Sequence, residues 1–261
     1  MVGKVVLITG GSAGIGKAAA ILFAHAGATV VIAARGLDRG HQVEQEIKAG
    51  GSKALFVPAD VSNPESVQQL MARTLESFGR LDCAFNNAAA PGKIGRTGDF
   101  SEADFDAEVA SNLKSLWLCM KYEIEQMRKQ QPPGGAIVNT SSVNGLGGAR
   151  LAALYSMSKA GVLALTKSAA QEYASDGIRV NALVAGGFDT EMLRSAVSQM
   201  VSCDPVKVEE TLKGYAARVP VGRIGRPEEA AQAALWLCSD AASYITGQSM
   251  IVDGGLTAWA R

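Results

Sequence analysis

Residues 4–27, KVVLITGGSAGIGKAAAILFAHAG, carry the pattern that decides the fold. The apolar, β-branched run at 4–9 predicts a buried parallel strand that ends at glycine. The Ala-rich segment at 16–27 predicts a helix that ends at Gly27. A strand that passes through a glycine turn into a helix is the first half of a βαβ unit, so this stretch predicts an α/β fold.

The same alternation continues along the rest of the chain. Further strands are predicted at residues 28–35, 53–60, 81–89, 135–142, 178–185 and 248–255, and helices at 38–51, 63–79, 102–129, 153–175 and 227–240. The third of these helices is expected to be interrupted or bent near Asn112. About seven strands that alternate with helices predict a doubly wound parallel sheet, the Rossmann fold, with helices on both faces.

Domain organisation follows from the same pattern. No repeat, low-complexity tract or linker interrupts the alternation, so residues 1–261 are predicted to form a single domain. Residues 188–218 interrupt this alternation, because they form a long, Met-containing insertion between a strand and a helix. We expect this segment to form a substrate lid within the domain.

The composition is that of a globular protein without an electrostatic bias. Hydrophobic residues make up 48% of the 261 residues and charged residues 19%, which argues against disorder. Lys and Arg number 25, and Asp and Glu also number 25, so the net charge is zero. We therefore expect neither nucleic acid nor an anionic membrane as a partner.

Cysteine usage and the start of the chain give further expectations. The thiols of Cys83, Cys119, Cys203 and Cys238 are too far apart in sequence for a zinc knuckle or a redox pair, so no metal site is predicted. They are expected to be buried or inert, in a reducing compartment. The opening MVGKVVLIT predicts a strand rather than a signal peptide, and no apolar run could span a bilayer, so the expected location is cytoplasmic.

The segment TGGSAGIG, residues 9–16, lies between the first predicted strand and the first predicted helix. Gly10, Gly14 and Gly16 would let the backbone approach a pyrophosphate. The free N–H groups and the dipole of the helix N-terminus would then bind that anion. An ordinary βα turn is the alternative, but the position at the first strand–helix junction favours a nucleotide.

The end of the second strand bears on which dinucleotide binds. An acid there hydrogen-bonds the ribose of NAD, whereas an arginine nearby accommodates the extra phosphate of NADP. The sequence has Ala33, Ala34 and Arg35 at this place, and Asp38 already belongs to the following loop or helix. We favour NADP, with NAD as the alternative, and a solvated surface role is the other interpretation of Arg35.

Residues 139–159, NTSSVNGLGGARLAALYSMSK, contain one tyrosine and one lysine. Tyr155 and Lys159 are i and i+4 on a predicted helix and share one face. A nearby ammonium is expected to lower the pKa of the phenol, so that it can protonate a carbonyl oxygen or deprotonate an alcohol. A serine at the end of the preceding strand could hold the same oxygen. Simple packing of a tyrosine beside a lysine is the common alternative for this spacing alone.

These motifs together resemble those of the short-chain dehydrogenase/reductase family, from Gly3 to about Thr257. TGGSAGIG is similar to the family's T-G-x-x-x-G-x-G cofactor loop, and YSMSK supplies its Y-x-x-x-K. Ser142 lies thirteen residues before the tyrosine and is followed by valine, as the family's catalytic serine is, whereas Ser141 does not meet that spacing.

Two further motifs resemble the family with one replacement each. NNAA at 86–89 is similar to N-N-A-G, with Ala89 in place of the glycine. VNALVAGGFDTEM is similar to V-N-x-x-x-P-G-x-x-x-T, with Ala185 in place of the proline. Neither replacement removes a chemical group, so we expect activity to survive.

The resemblance implies an oxidoreductase that transfers a hydride between a nicotinamide cofactor and a carbonyl or alcohol substrate, with Tyr155 as general acid/base. NADPH-dependent ketone reduction is the preferred direction. The implied catalytic residues are Asn112, Ser142, Tyr155 and Lys159. The expected cofactor-binding residues are Gly10, Ser12, Gly14, Ile15, Gly16, Arg35, Asp60, Val61, Asn87, Ala88, Tyr155, Lys159, Gly186, Phe188 and Thr190. The expected substrate-binding residues are Ser142, Asn144, Tyr155, Gly186 and Met192.

Two surfaces around this site are expected from less specific signals. Leu146, Leu154 and the methionines of the lid would add an adaptable apolar wall, or would simply pack the lid. The charges of Lys93 and Arg96 could attract an anionic substrate, although such charges more often solvate a loop. Many family members are tetramers, so the resemblance implies a homotetramer, with which an Ala-rich helix at 160–174 and the apolar tail around Trp259 are compatible.

Two alternative functions stay open at this point. An NAD-dependent alcohol dehydrogenase would differ from the preferred function only in the argument from Arg35. A non-catalytic nucleotide-binding sensor on the same fold would predict a damaged Ser–Tyr–Lys set, yet every member of the set is present.

Overall fold

The sheet that the sequence predicts is present in the computed structural model, which describes residues 1–201 and 203–258. Within these residues seven parallel strands form one sheet in the order β3-β2-β1-β4-β5-β6-β7. The strands are β1 Val5–Thr9, β2 Thr29–Ala34, β3 Ala54–Pro58, β4 Cys83–Asn86, β5 Gly135–Ser142, β6 Ile178–Ala185 and β7 Ser249–Val252. The strand order reverses between β1 and β4, and ligands of doubly wound sheets bind at such a point.

Helices cover both faces of the sheet. They are α1 Gly14–His25, α2 Leu37–Ala49, α3 Pro64–Phe78, α4 Glu102–Glu108, α5 Ser115–Lys129, α6 Ala153–Tyr173, α7 Glu191–Met200, α8 Pro205–Arg218 and α9 Pro227–Cys238. A π-helical turn, Val109–Lys114, joins α4 to α5 and is the interruption expected near Asn112. Single π turns inside helices occur frequently at functional sites.

Two apolar layers hold these helices on the sheet. On one face α1 and α9 pack through side chains such as Phe23 and Leu237. On the other face α3 and α5 pack through side chains such as Leu70 and Met127. Each of these four side chains is fully buried, which stabilises the fold by about 1.5–3 kcal/mol per side chain. Because both faces are covered, the central strands are apolar at consecutive positions, and β1 is buried at all five.

One strand is shorter than the sequence predicts. The strand expected at 81–89 ends at Asn86. The next two backbone N–H groups, of Asn87 and Ala88, turn toward β1 and donate to the hydroxyl of Thr9, each over 3.1 Å. The strand therefore ends three residues earlier than predicted, and the following residues form a loop beside the first strand–helix junction.

The segment expected to form the lid contains α7 and α8. The hydroxyl of Thr190 accepts from Leu193 N over 3.3 Å at the start of α7. The guanidinium of Arg194 pairs with Asp189 at 3.1 Å and with Glu209 at 2.6 Å, which ties α7 to α8. The single domain and the lid function stay predictions.

The sequence also predicts neither a membrane-spanning segment nor a metal site. In the part of the chain that the structure describes, no helix is long and apolar enough to cross a bilayer. The same residues hold no group of three His, Cys, Asp or Glu side chains that could bind a metal ion. Of the four free cysteines, Cys203 is exposed and the other three are buried. Trp259 lies outside the described residues.

Candidate active site

The glycine loop, residues 9–16, requires glycine at each position that the sequence singled out. Gly10 has φ +67°, and a Cβ there would lie 2.9 Å from Ala88 Cα. Gly14 has φ +51°, and its Cβ would lie 3.1 Å from Thr190 Cγ2. A Cβ at Gly16 would lie 2.2 Å from the carbonyl oxygen of Gly10. The glycine loop therefore contacts the residues after β4 and the residue before α7 so closely that side chains at these glycines would clash. Ser12 and Ile15 lie in the same loop.

The residues present fit the pyrophosphate of a dinucleotide. The residue before α1, Ala13, offers no side chain to cap the helix, and the first turn carries no acid. The first N–H groups of α1 are therefore left without a side-chain acceptor, beside glycines that keep the approach open. Free N–H groups at the positive end of a helix bind anions such as phosphate. This arrangement agrees with the cofactor class that the sequence predicts.

At the end of β2, the side chain of Arg35 is exposed and forms no ion pair within residues 1–201 and 203–258. The neighbouring loop after β3 holds Asp60, whose Oδ1 accepts from Ser62 N over 3.0 Å and from Ser62 Oγ over 2.7 Å. These bonds hold the pKa of Asp60 below its ordinary value, and the positive charge of Arg35 acts in the same direction. Arg35 and Asp60 thus lie near each other, and Val61 packs against the apolar cluster that includes Val67 of α3.

The two serines at the end of β5 have different surroundings because successive side chains of a strand point to opposite faces. Ser141 Oγ donates to the carbonyl oxygen of Lys159 over 2.7 Å and is buried against α6. Ser142 Oγ accepts from Asn144 N over 3.2 Å and lies close enough to the Tyr155 hydroxyl to lower its pKa. The structure therefore brings Ser142, not Ser141, to the phenol, as the family spacing implies.

Lys159 is 2% exposed, so its ammonium is held inside the protein. Its Nζ donates to the carbonyl oxygen of Thr140 over 3.1 Å and lies 5.6 Å from the centre of the Tyr155 ring. Burial lowers the pKa of Lys159 to about 8, and the negative charge of Glu108 opposes that shift.

The pKa of Tyr155 differs from the sequence-based expectation. We expected the neighbouring ammonium to lower it, but desolvation of the phenol raises it to about 12. The negative charge of Glu108 raises it further, and only the hydrogen bond with Ser142 lowers it. The expectation was wrong because it considered one neighbouring charge and neither the burial of the ring nor a carboxylate on another helix.

Asn112 lies in the π turn and is 1% exposed. Its Oδ1 accepts from Ala90 N over 2.8 Å, and its Nδ2 donates to Ala90 O over 3.1 Å. The same Nδ2 donates to Glu108 Oε1 over 2.7 Å. The amide thereby fixes the loop after β4 and a buried carboxylate that sequence reasoning missed. The only sequence signal for Glu108 was an acid four residues before Asn112 on the predicted helix.

The expected substrate-binding residues differ in how much side chain they expose. Asn144 and Met192 are half-buried. Gly186 approaches β7 closely, since a Cβ there would lie 2.7 Å from Asp253 Cα. Phe188 is 5% exposed and packs in the core, and a Cβ at Gly225 would lie 2.6 Å from its ring. Phe188 can therefore face the cofactor region only through its main chain, not through its ring.

Lys93 and Arg96, the two residues expected to attract an anion, differ in whether an acidic side chain pairs with them. Lys93 Nζ pairs with Asp104 at 2.8 Å, so its charge is neutralised. Arg96 instead lines a cavity of about 650 Å³ together with Arg150 and Ala153, which lies two residues before the candidate phenol. Sequence reasoning named Arg96 but missed Arg150, which lies outside every motif.

Comparison with known proteins is consistent with this geometry. A family model described as Enoyl-(Acyl carrier protein) reductase matches residues 10–257. An uncharacterized oxidoreductase of Thermotoga maritima is 43% identical over 98% of this chain and 98% of the relative. A 2,5-dichloro-2,5-cyclohexadiene-1,4-diol dehydrogenase of Sphingobium indicum is 40% identical, also over 98% of each chain.

Solved structures show the same likeness in three dimensions. Levodione reductase superposes with a TM-score of 0.94 at 34% identity and covers 100% of both chains. A variant of actinorhodin polyketide ketoreductase with NADPH superposes with a TM-score of 0.92 at 32% identity, over 98% of each chain. These likenesses, together with the Rossmann sheet, show that the chain is an oxidoreductase of the short-chain dehydrogenase/reductase family that acts on alcohols or ketones with a nicotinamide cofactor.

Proposed function

We propose that this protein is an NADPH-dependent ketone reductase in which Tyr155 donates the proton. The observation that carries this proposal is the convergence of Ser142, Tyr155 and Lys159 at the carboxyl end of β5, the edge of the sheet at which the glycine loop follows β1. Ser142 lies beside the phenol and lowers its pKa, and the Lys159 ammonium lies 5.6 Å from the centre of its ring. A nicotinamide supplies or accepts the hydride, and these three side chains position the substrate oxygen and transfer its proton.

Each side chain has a distinct part in the proposed reaction. When a carbonyl carbon accepts a hydride, negative charge develops on its oxygen, which then needs a proton. Tyr155 provides that proton, and Ser142 holds the oxygen within reach of the phenol. Lys159 stabilises the phenolate left behind, and Asn112 keeps the adjoining loop in place through Ala90. Burial raises the pKa of Tyr155 to about 12, so the phenol carries its proton at neutral pH, as a proton donor must.

The preference for NADPH rests on Arg35. Its guanidinium is exposed at the end of β2 without an acidic side chain at the strand end, so it is available for a phosphate. One similar solved structure, a polyketide ketoreductase, contains NADPH. NAD use with alcohol oxidation is the second candidate function, since several relatives are named as dehydrogenases.

For the substrate we propose a cyclic ketone or alcohol. Levodione reductase and cyclohexanol dehydrogenase are among the similar proteins by name. The half-buried side chains of Asn144 and Met192 offer one polar and one adaptable apolar neighbour to such a ring.

We propose two further properties, a cytoplasmic location and a homotetramer. The edge strand β7 is only half-buried, and Ile251 on it is 46% exposed, which leaves apolar surface for a second copy. Light scattering coupled to size exclusion would give a mass near four chains if the tetramer forms, and a mass near one chain would refute it.

The proposed function is tested by following NADPH and NADH consumption over a panel of cyclic ketones, and NADP and NAD reduction over the matching alcohols. Turnover of at least one ketone with NADPH preferred supports the proposal. Turnover only of alcohols with NAD supports the dehydrogenase. Cofactor binding without turnover on any compound, in either direction, would favour a nucleotide-binding sensor instead.

A further inference from the structure

Glu108 is a buried carboxylate that the proposed reaction does not use. It lies at the end of α4, is 6% exposed, and has no cation within 4.0 Å among the described residues. A buried ionised carboxylate is costly unless hydrogen bonds compensate it. Its Oε1 accepts from Asn112 Nδ2 and from Ser158 Oγ, each over 2.7 Å. Those donors stand one turn before α5 and on α6, so the carboxylate joins three segments of the candidate active site.

The other carboxylate oxygen lies beside Gly92, the loop residue that the Tyr155 side chain also contacts. A Cβ at Gly92 would lie 3.2 Å from Glu108 Oε2 and 2.8 Å from Tyr155 Cβ. Glycine is therefore needed where the loop after β4 passes between the two side chains. Both side chains therefore lie close to Gly92, and the charge of the carboxylate reaches the phenol.

Glu108 acts on both ionisable groups of the site in one direction. Its negative charge raises the pKa of Tyr155 and also raises that of Lys159, against the burial that lowers the latter. The ionisable groups facing it are these two side chains of α6. In the loop after β4, Lys93 is paired with Asp104 of α4 instead. A negative charge here favours the state in which phenol and ammonium are both protonated.

We propose that Glu108 is a positioning residue that fixes Asn112 and holds Tyr155 and Lys159 in the protonated state that ketone reduction needs. This inference rests on the proposed function, because it assumes that Tyr155 is the proton donor. A purely structural role, in which Glu108 only joins α4 to α6, would change stability and leave the pH dependence of turnover as it is.

The test compares pH profiles of kcat/KM for ketone reduction in the wild type, Glu108→Gln and Glu108→Asp. The glutamine variant loses the charge, so both pKa values fall and the alkaline limb moves to lower pH by roughly one unit. The aspartate variant keeps the charge and should keep a midpoint near that of the wild type. Glu102→Gln, which removes an exposed acid at the other end of α4, serves as the matched control and should leave the midpoint unchanged.

An unchanged midpoint in Glu108→Gln, measured on protein with wild-type cofactor Kd, would overturn the inference. If the glutamine variant does not fold, a midpoint in Glu108→Asp that follows the wild type supports it, and one displaced to lower pH contradicts it. Failure of the proposed function gives a different result, because Tyr155→Phe would then retain turnover whatever residue occupies position 108.

A second inference rests on the cavity beside α6. Its volume is about 650 Å³, and its lining includes Arg96 and Arg150 but no acidic residue. Neither guanidinium forms an ion pair within residues 1–201 and 203–258, although fourteen ion pairs occur there. The lining also includes Ala149 and Leu151, so the cavity adjoins the loop that leads into Tyr155.

The geometry points to a subsite in which Arg96 and Arg150 bind an anionic group, such as a carboxylate, on the substrate ketone. Guanidinium groups bind carboxylates through paired, charge-assisted hydrogen bonds. The two exposed arginines make the lining of the cavity positively charged, in a chain whose net charge is zero. This inference, too, depends on the proposed function, since the substrate is assumed to be reduced at Tyr155.

The test measures kcat/KM for a cyclic ketone that carries a carboxylate and for its methyl ester. In the wild type the acid should be preferred, and Arg96→Gln with Arg150→Gln should reduce the acid-to-ester ratio at least tenfold. Lys93→Gln is the matched control, because that lysine is already paired with Asp104, and it should leave the ratio nearly unchanged. An acid-to-ester ratio that is the same in the double variant and the wild type would overturn the inference. If the wild type turns over neither compound, that result would contradict the proposed function instead.

Discussion

At the scale of single residues, the hydroxyl of Tyr155 is subject to opposing influences. Desolvation and the charge of Glu108 raise its pKa, while the hydrogen bond with Ser142 lowers it. The i to i+4 spacing with Lys159 was visible in the sequence, but the carboxylate comes from another helix. The identity of the proton donor could therefore be predicted from a motif, whereas its pKa depends on the assembled site.

Arg35 gives the residue-scale prediction for cofactor choice. Arg35→Ala should raise the KM for NADPH by about 10–100-fold, because charge-assisted hydrogen bonds contribute roughly 1.5–3 kcal/mol each. The KM for NADH should change less than about twofold, since its ribose carries no phosphate. Steady-state kinetics with both cofactors measures the two constants. Arg73→Ala, which removes an exposed arginine on α3, is the control, and an equal change for both cofactors would refute the NADPH preference.

At the scale of elements, the junction between β1 and α1 has the tightest backbone contacts of the candidate site. A Cβ at Gly16 would lie 2.2 Å from Gly10 O, a contact with backbone that no side-chain movement relieves. Gly36, before α2, is an ordinary position, with nothing within 4 Å of its Cβ. The two glycines are therefore a matched pair for testing whether the junction requires a residue without a side chain.

We predict that Gly16→Ala destabilises the protein by about 1–3 kcal/mol through overpacking and weakens NADPH binding at least tenfold. Gly36→Ala should leave both properties close to wild type. Thermal unfolding and fluorescence titration with NADPH measure the two effects. Similar NADPH affinity in the two variants would show that the glycine loop does not form the cofactor site.

Elements whose signals are local could be predicted from the sequence. Strands β5 and β6 have the bounds expected at 135–142 and 178–185, because continuous apolar runs bounded by turn residues specify buried strands. The end of β4 could not be predicted, since its backbone donors bind Thr9, which is distant in the chain. Glu108 was missed for the same reason, because its partners come from the π turn and α6.

At the scale of the whole molecule, a buried polar network joins the sheet to the helices on one face. Asn86 Nδ2 of β4 donates to Glu123 Oε2 of α5 over 2.8 Å and to Asn139 Oδ1 of β5 over 3.1 Å. Asn139 Nδ2 donates to Thr166 Oγ1 of α6 over 3.0 Å. Glu123 is 0% exposed, and burial raises its pKa to about 8, against the bond from Asn86 that lowers it.

This network predicts that stability depends on pH. Because the pKa of Glu123 is higher in the folded protein than in the unfolded chain, its contribution is fully present below about pH 4.5 and is lost as the pH rises toward about 8. The fall in Tm of the wild type between about pH 5 and about pH 9 should therefore be larger than that of Glu123→Gln, which cannot ionise. Thermal unfolding across this range measures the difference. Parallel curves for the two proteins would contradict the assignment.

The most direct test of the whole account follows the transferred atoms. A ketone that turns over would be incubated with NADPH in which both hydrogens of the reactive nicotinamide carbon are deuterium, and the product alcohol analysed by mass spectrometry. We predict one deuterium on the carbinol carbon with the wild type, and with Tyr155→Phe a rate lower by at least a hundredfold at saturating NADPH. An alcohol without deuterium, or equal rates for the two proteins, would contradict hydride transfer with Tyr155 as the proton donor.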